Sequence, residues 1–227
     1  MYTQRSGDFL AAARSDFAVE MATTADELHE VFRLRYQIYC LERGFEEGSN
    51  GLEFDEHDSF SRHIVLRHLP TGLAIGTVRL VVPRLQGPGA RMPMEEVADA
   101  PRLRALPRAG IAEVSRFALS KVLRAQSASL GSLARLGLVR GLVQVSAKLN
   151  ISHWCALMEP KLLRLLATTA IHFQPVGLMV EHHGLRQPCF TPLDGMLAQV
   201  RAERPEIWNF LTDAGRLWQA APEAVAA

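Results

Sequence analysis

The chain is 227 residues long, 48% hydrophobic and 22% charged, with a net charge of +1. This length fits one sizeable core and leaves two domains cramped, and the balanced charge excludes a disordered tail or a uniformly basic nucleic-acid binder. With no apolar signal region at the start and no apolar run long enough to span a bilayer, a cytoplasmic protein without membrane insertion is expected.

Residues 1–15 carry no periodic pattern and read as a mobile arm. Phe17–Met21 is rich in β-formers and predicts a first strand. Thr24-Ala-Asp-Glu27 has the spacing of a capping box and opens a helix through about Tyr39. Leu28, Val31, Arg35 and Tyr39 fall near one face of that helix, so a cation lies on its apolar stripe. Glu42–Leu52, with three glycines and Asn50, reads as a loop, and Glu53, Asp55, Glu56 and Asp58 follow as an acidic cluster. Four acids in six residues repel one another, and Arg35, Arg79 and Arg116 are the available counter-charges. His63–Leu69 and Leu73–Val82, on either side of Pro70-Thr-Gly72, give a hairpin signal. Gly76 marks a bulge or a close backbone approach there, and Arg79 places a cation within the second arm. Residues 83–110 hold five prolines and predict an irregular connection of the kind that is functional or mobile.

Ile111–Leu119 is an apolar, strand-like run that carries one acid and one base. Strand alternation puts Glu113, Ser115 and Phe117 on one face and Val114, Arg116 and Ala118 on the other. Neither charge is buried without partners, so each face requires an ion-pair network or a cleft. Leu133 to about Leu149 predicts a helix apolar around most of its girth, with Arg140, Gln144 and Lys148 as a narrow polar stripe. Ile151–Met158 reads as a buried strand, Glu159-Pro160 opens a helix over Lys161–Ala170, and Ile171–Val176 is a further strand. From residue 188 onward the pattern suggests a short helical tail. A hairpin followed by alternating strands and helices predicts an α/β domain over 1–190, a mixed sheet with helices on both faces, and residues 191–227 packed on it. Cys40, Cys155 and Cys189 are odd in number and far apart, as reduced thiols are, and His182, His183 and Cys189 lack zinc-ligand spacing; no metal is expected.

Arg35, Tyr39, Phe45, Glu53-x-Asp55-x-x-Asp58, Gly76-x-x-Arg79 and Glu113-x-x-Arg116-Phe117 together resemble the N-acyl-homoserine lactone (autoinducer) synthases. A closer resemblance, through His63, Glu113-Val-Ser-Arg-Phe-Ala, Trp154, Met158-Glu-Pro160 and Glu181-His-His-Gly-x-Arg186-x-Pro188, is to the N-acyl amino acid synthases and the acyltransferases associated with PEP-CTERM/exosortase systems. The resemblance spans roughly residues 30–190 and implies a GNAT-like acyltransferase fold.

It also implies transfer of a fatty acyl group from an acyl-carrier-protein thioester to the primary amine of an amino acid or similar small molecule, without a cofactor. Under it, Glu113 is the expected general base and Arg116 its catalytic partner. Arg35, Tyr39, Phe45, Glu53, Asp55, Asp58, His63, Arg79, Phe117 and Trp154 would bind substrate, and a backbone N–H near Phe117–Leu119 would hold the oxyanion. Two departures bear on the substrates. Phe45 stands where the lactone synthases place Trp, and Tyr39 where they place Phe, which points away from S-adenosylmethionine as acceptor. Ser120–Gln126 lacks the glycines of a pyrophosphate loop, which favours a carrier protein over coenzyme A. From Arg102 to Lys148 nine cations face the single acid Glu113, a net of +8 in a nearly neutral chain, which fits an acidic carrier. Lys121, Arg124, Arg102, Arg104, Arg135 and Arg140 are the candidate docking residues. The competing expectations are a lactone synthase that uses S-adenosylmethionine and a module that binds acyl carrier protein without turnover.

Overall fold

The structure is a computed structural model, described here over residues 16–87, 89–105, 108–121 and 128–218. The expected mobile arm lies outside the described residues. β1 (Phe17–Ala22) pairs antiparallel with β2 (Ser61–His68), which pairs antiparallel with β3 (Leu73–Val81). β4 (Ile111–Leu119) continues the meander on β3 and then runs parallel to β5 (His153–Met158). The sheet ends with β8 (Leu185–Pro192), β6 (Gln174–Pro175) and β7 (Val180–Glu181), both short strands pairing with β8.

β2 shows why helices cover both faces. Its Ile64 and Leu66 belong to the main core under α2 (Ala128–Lys148), while Val65 turns the other way to meet Val31 of α1 (Ala25–Arg35). α1 begins as its sequence predicts: the Thr24 hydroxyl accepts from the Glu27 N–H at 3.3 Å and the Glu27 carboxylate accepts from the Thr24 N–H at 2.9 Å. It does not continue to Tyr39 as an α-helix. The chain widens into a π-helical turn over Tyr36–Glu42, which changes the direction in which Tyr39 projects.

Several expectations need correction. Of the predicted strand Ile171–Val176 only Gln174–Pro175 pairs, and the region expected to be helical from residue 188 begins instead inside β8. β8 lies between β5 and β6 and contains Pro188 and Pro192, which lower its strand signal. Residues 83–110 are not wholly irregular, because short helical turns form at Met94–Val97 and Pro101–Arg104. After β5 comes α3 (Pro160–Ala167), and after β8 come α4 (Leu193–Glu203) and α5 (Pro205–Thr212). Met196, Val200, Ile207 and Phe210 of these last helices join the same core as α2. Cys40, Cys155 and Cys189 are free thiols. Among the described residues no helix is long and apolar enough to cross a membrane.

Candidate active site

The acidic segment is held by its own backbone. Asp55 accepts from the His57 N–H at 3.0 Å and Asp58 accepts from the Asp55 N–H at 2.7 Å, so Asp55-x-x-Asp58 is a second capping box, here opening a tight turn at Glu56–Phe60. That turn aims the carboxylates at three arginines. Arg35 donates to Glu53 at 2.5 Å and to Asp58 at 2.7 Å; Arg79 donates to Asp55 at 2.5 Å, to Asp58 at 2.7 Å and to Ser115 at 2.9 Å. Arg116 donates to Glu53 at 2.9 Å and to Asp55 at 3.1 Å, and lies 3.1 Å from Glu46. Arg35, Arg79 and Glu53 are almost fully buried. Burial alone would raise the carboxyls, but the guanidinium groups outweigh it: Glu53 and Asp55 are held below their ordinary values and Asp58 far below. His63 sits behind this network against Phe32, and burial pushes its imidazole down to about 4, which keeps it neutral.

β4 departs from the predicted alternation at one residue. Arg116 adopts φ 51°, and the β3–β4 register shifts between Thr77 and Arg79, so β4 carries a bulge. Ser115 and Arg116 therefore face the same side, toward α1, and Phe117 turns to the α2 side. The expectation that Glu113 and Phe117 share a face, opposite Arg116, is overturned by this extra residue. The bulge gathers Glu113, Ser115 and Arg116 on the side that holds the arginine network. Glu113 is 2% exposed, accepts from the Met94 N–H at 2.9 Å, and is pushed up to about 8 by burial. Its carboxyl is thus poised to hold a proton near neutrality and to release or take one with little change of pH.

Beside the bulge the sheet opens. β4 and β5 pair only from Ile111–Glu113 to His153–Cys155; farther along, β4 stays with β3 and β5 with β8. A cavity of about 510 Å³ passes through this slit. On the α1 side its wall is polar, with Tyr39, Glu46, Asp55, Arg79, Glu113 and Arg116. On the α2 side it is apolar, with Leu119, Val139, Leu142, Trp154, Leu166 and Phe173. The mouth is roofed by stacked rings and guanidiniums: His183 stacks on Phe45 at 5.4 Å, Arg43 lies over Tyr39 and Phe45, and Arg116 lies over Tyr39 at 5.4 Å. Arg186 and Arg43 converge on Glu159 from the loop and the hairpin, closing the roof.

The acetyltransferase (GNAT) domain family matches residues 34–133. Three solved structures share the architecture. BjaI, a CoA-dependent acyl-homoserine lactone synthase solved with SAM and isopentyl-CoA, has TM-score 0.64 at 20% identity, over 90% of this chain and 91% of that one. TofI, solved in a ternary complex with an inhibitor and MTA, has TM-score 0.62 at 18% identity, over 82% and 95%. FeeM, an N-acyl amino acid synthase from uncultured soil microbes, has TM-score 0.58 at 16% identity, over 81% and 94%. This chain carries a GNAT-like fold. No curated protein matches it by sequence.

Within the GNAT frame the sequence-predicted residues divide into three groups. Tyr39, Phe45, Asp55, Arg79, Glu113, Arg116, Phe117 and Trp154 line the cavity. Arg35, Glu53, Asp58 and His63 stand behind its wall and hold the first group in place. The described docking candidates do not form one surface. Arg102 and Arg104 precede β4, Arg104 paired with Asp99, whereas Lys121 follows β4 and donates to the Glu42 carbonyl at 2.6 Å. Nine strand residues separate these ends by about 30 Å. Arg135 reaches the cavity wall, and Arg140 is engaged by Asp213 and the Phe210 carbonyl and ring, pinning α5. Arg124 lies outside the described residues. Sequence reading left Arg43, Glu46, Glu56, His57 and Glu96 without a role in the site, and all five line the cavity. Charges within a loop carry no periodicity, so only their shared position could have found them.

Proposed function

We propose that this GNAT-fold chain transfers a fatty acyl group from an acyl-carrier-protein thioester to the primary amine of an amino acid. The observation that carries the reading is the cavity itself: one space joins a charged chamber to an apolar channel through the β4–β5 slit, with Glu113 at the junction. An aliphatic chain fits the apolar half, where it is removed from water, and a small zwitterion fits the charged half. The amine arrives as an ammonium and must lose a proton before it attacks. Glu113 takes that proton, directly or through one water, and Arg116 with Arg79 orients the acceptor. The amide forms as the carrier thiol leaves. The exposed β4 edge beyond Glu113 offers backbone N–H groups to the developing oxyanion.

The +8 segment before and after β4 supports an acidic carrier protein as donor. A second reading, transfer to S-adenosylmethionine with lactone formation, is favoured by the likeness to BjaI and TofI, whose structures hold SAM or MTA. Tyr39 and Phe45 in the roof count against it. One experiment separates the two. The purified protein is given acyl carrier protein or coenzyme A thioesters with amino acids or S-adenosylmethionine, and products are read by mass spectrometry against Glu113→Gln. Amide from the carrier donor, reduced about 100-fold in the variant, supports the proposal. Release of methylthioadenosine assigns the second reading, and a full rate for the variant removes Glu113 from the chemistry.

A further inference from the structure

Two of the sequence motifs, Met158-Glu-Pro160 and Glu181-His-His-Gly-x-Arg186, take no part in the proton transfer, yet they meet over the cavity. Arg186 lies 3.1 Å from Oε1 of Glu159, and Arg43 lies 3.5 Å from the same oxygen. Both guanidiniums also stand over the Phe45 ring, Arg43 at 5.6 Å and Arg186 at 5.9 Å. Two cations on one ring repel, and Glu159 is the anion they share. It makes no side-chain cap for α3, so its carboxylate is committed to this contact. Beside it His183 stacks on Phe45 and lies 3.4 Å from Glu46.

These polar contacts are what holds the tip of the β7–β8 hairpin down. Its base is fixed otherwise: Gln187 Nε2 donates to the Gly177 carbonyl at 2.9 Å, and Gly177 packs so closely on the Asp99 carbonyl that a Cβ would meet that oxygen at 2.7 Å. Toward the tip only Val180 and Glu181 pair with β8. Leu178, Met179 and Leu185 are exposed, and among the described residues none of the three joins a core. A segment with few buried apolar contacts opens at low cost. The chamber beneath has a reason to be covered. A carboxylate that takes a proton from an amine also takes one from water, so Glu113 beside a thioester invites hydrolysis wherever water enters.

We propose that Glu159 is a positioning residue: it holds Arg43 and Arg186 together and so latches the hairpin over the charged chamber, as a lid that keeps water from the bound thioester. The inference rests on the acyl-transfer reading and adds what protects its donor. With the latch closed, the amine is the nucleophile within reach. With it open, water competes: a carbon–oxygen bond forms, the carbon–sulfur bond breaks, the sulfur leaves as the carrier thiol with a proton from the water, and the acyl group is lost as free fatty acid.

The test gives the protein decanoyl thioesters of acyl carrier protein and of coenzyme A without any amine, reading thiol release, and follows hydrogen exchange over residues 178–186. Glu159→Gln is expected to raise thiol release about tenfold and to speed exchange in the hairpin, while exchange in β4 and the melting midpoint stay close to wild type. Adding Arg43→Gln removes one of the two repelling charges and is expected to return most of the protection. No recovery in the double variant would mean that Glu159 acts through the fold around α3, and unchanged hairpin exchange in Glu159→Gln would mean that it holds no latch; either result overturns the proposal. Faster exchange without faster hydrolysis overturns the lid and leaves acyl transfer standing. A wild type that consumes neither donor, with or without amino acids, overturns the acyl-transfer reading and the shielding role with it.

Discussion

Glu113 is the residue at which stability and activity make opposite demands on pH. Its ordinary value is 4.5 and its value in the fold is about 8, because burial disfavours the carboxylate. Between these values the folded state binds more protons than the unfolded state. The stabilisation is therefore fully present below 4.5 and is lost as pH rises through 8, on the order of 5 kcal/mol in all. Activity runs the other way, since only the carboxylate accepts a proton. Subtracting the unfolding free energies of Glu113→Gln from those of wild type across this range isolates the group. A falling difference is expected, together with a kcat/KM profile that climbs through about 8 in wild type and loses that bend in the variant. A flat difference would mean that Glu113 is ionised in the fold. Legibility at this scale was uneven. The acid and base of Glu113-x-x-Arg116 could be found from their intrusion into an apolar strand, but their placement on one face could not. That placement depends on the left-handed backbone of Arg116, which a non-glycine residue adopts only where neighbours enforce it.

At the scale of elements, regular patterns were readable and their interruptions were not. The capping box at Thr24, the β2–β3 hairpin and the Glu159-Pro160 helix start follow from local chemistry that needs no tertiary partner. The π turn after Arg35 and the strand β8 do not, since one is a change of winding and the other hides its strand signal behind two prolines. Helix α2 was legible as apolar, yet the meaning of its glycines appears only in packing. A Cβ on Gly141 would meet Ile64 Cγ2 at 2.5 Å and Val19 Cγ1 at 2.6 Å, both on β-branched side chains of the sheet. Alanine is the better helix former by about 1 kcal/mol. Overpacking against stiff, branched neighbours costs about 1–3 kcal/mol, so the clash wins. Gly141→Ala is expected to lower the melting midpoint, and a rise would show that α2 can lift from β1 and β2 freely.

For the whole molecule, the sequence showed that charge is unevenly distributed, and the structure shows that the cations are distributed among several tasks. Arg140 pins a helix, Arg116 builds the chamber and Arg104 pairs on the surface, while Lys121, just after β4, donates to the Glu42 carbonyl. Reversal of Lys121 and Arg124 to Glu is expected to raise KM for acyl carrier protein several-fold and to flatten its salt dependence, with little change for a short acyl-pantetheine thioester. Equal losses for both donors would move the docking site elsewhere. Fold class was accessible from composition and element order, because these set how layers can pack. The distribution of cations was not, because a net charge says nothing about which residues already have partners.

The three-residue pairing of β4 with β5 has a consequence beyond making room for substrate. Cooperativity in a sheet is carried by its ladder, and here the ladder is interrupted at the middle, so β1–β4 and the β5–β8 group are tied mainly by that short seam and by the apolar layer beneath it. The place where the empty protein opens at least cost is then its own active site. Under the proposed acyl transfer, a bound acyl chain would lie across that seam and rivet the two halves together, so that occupancy and rigidity would rise as one quantity. In the cell, supply of acyl donor would set not only how fast this protein works but how long each copy lasts.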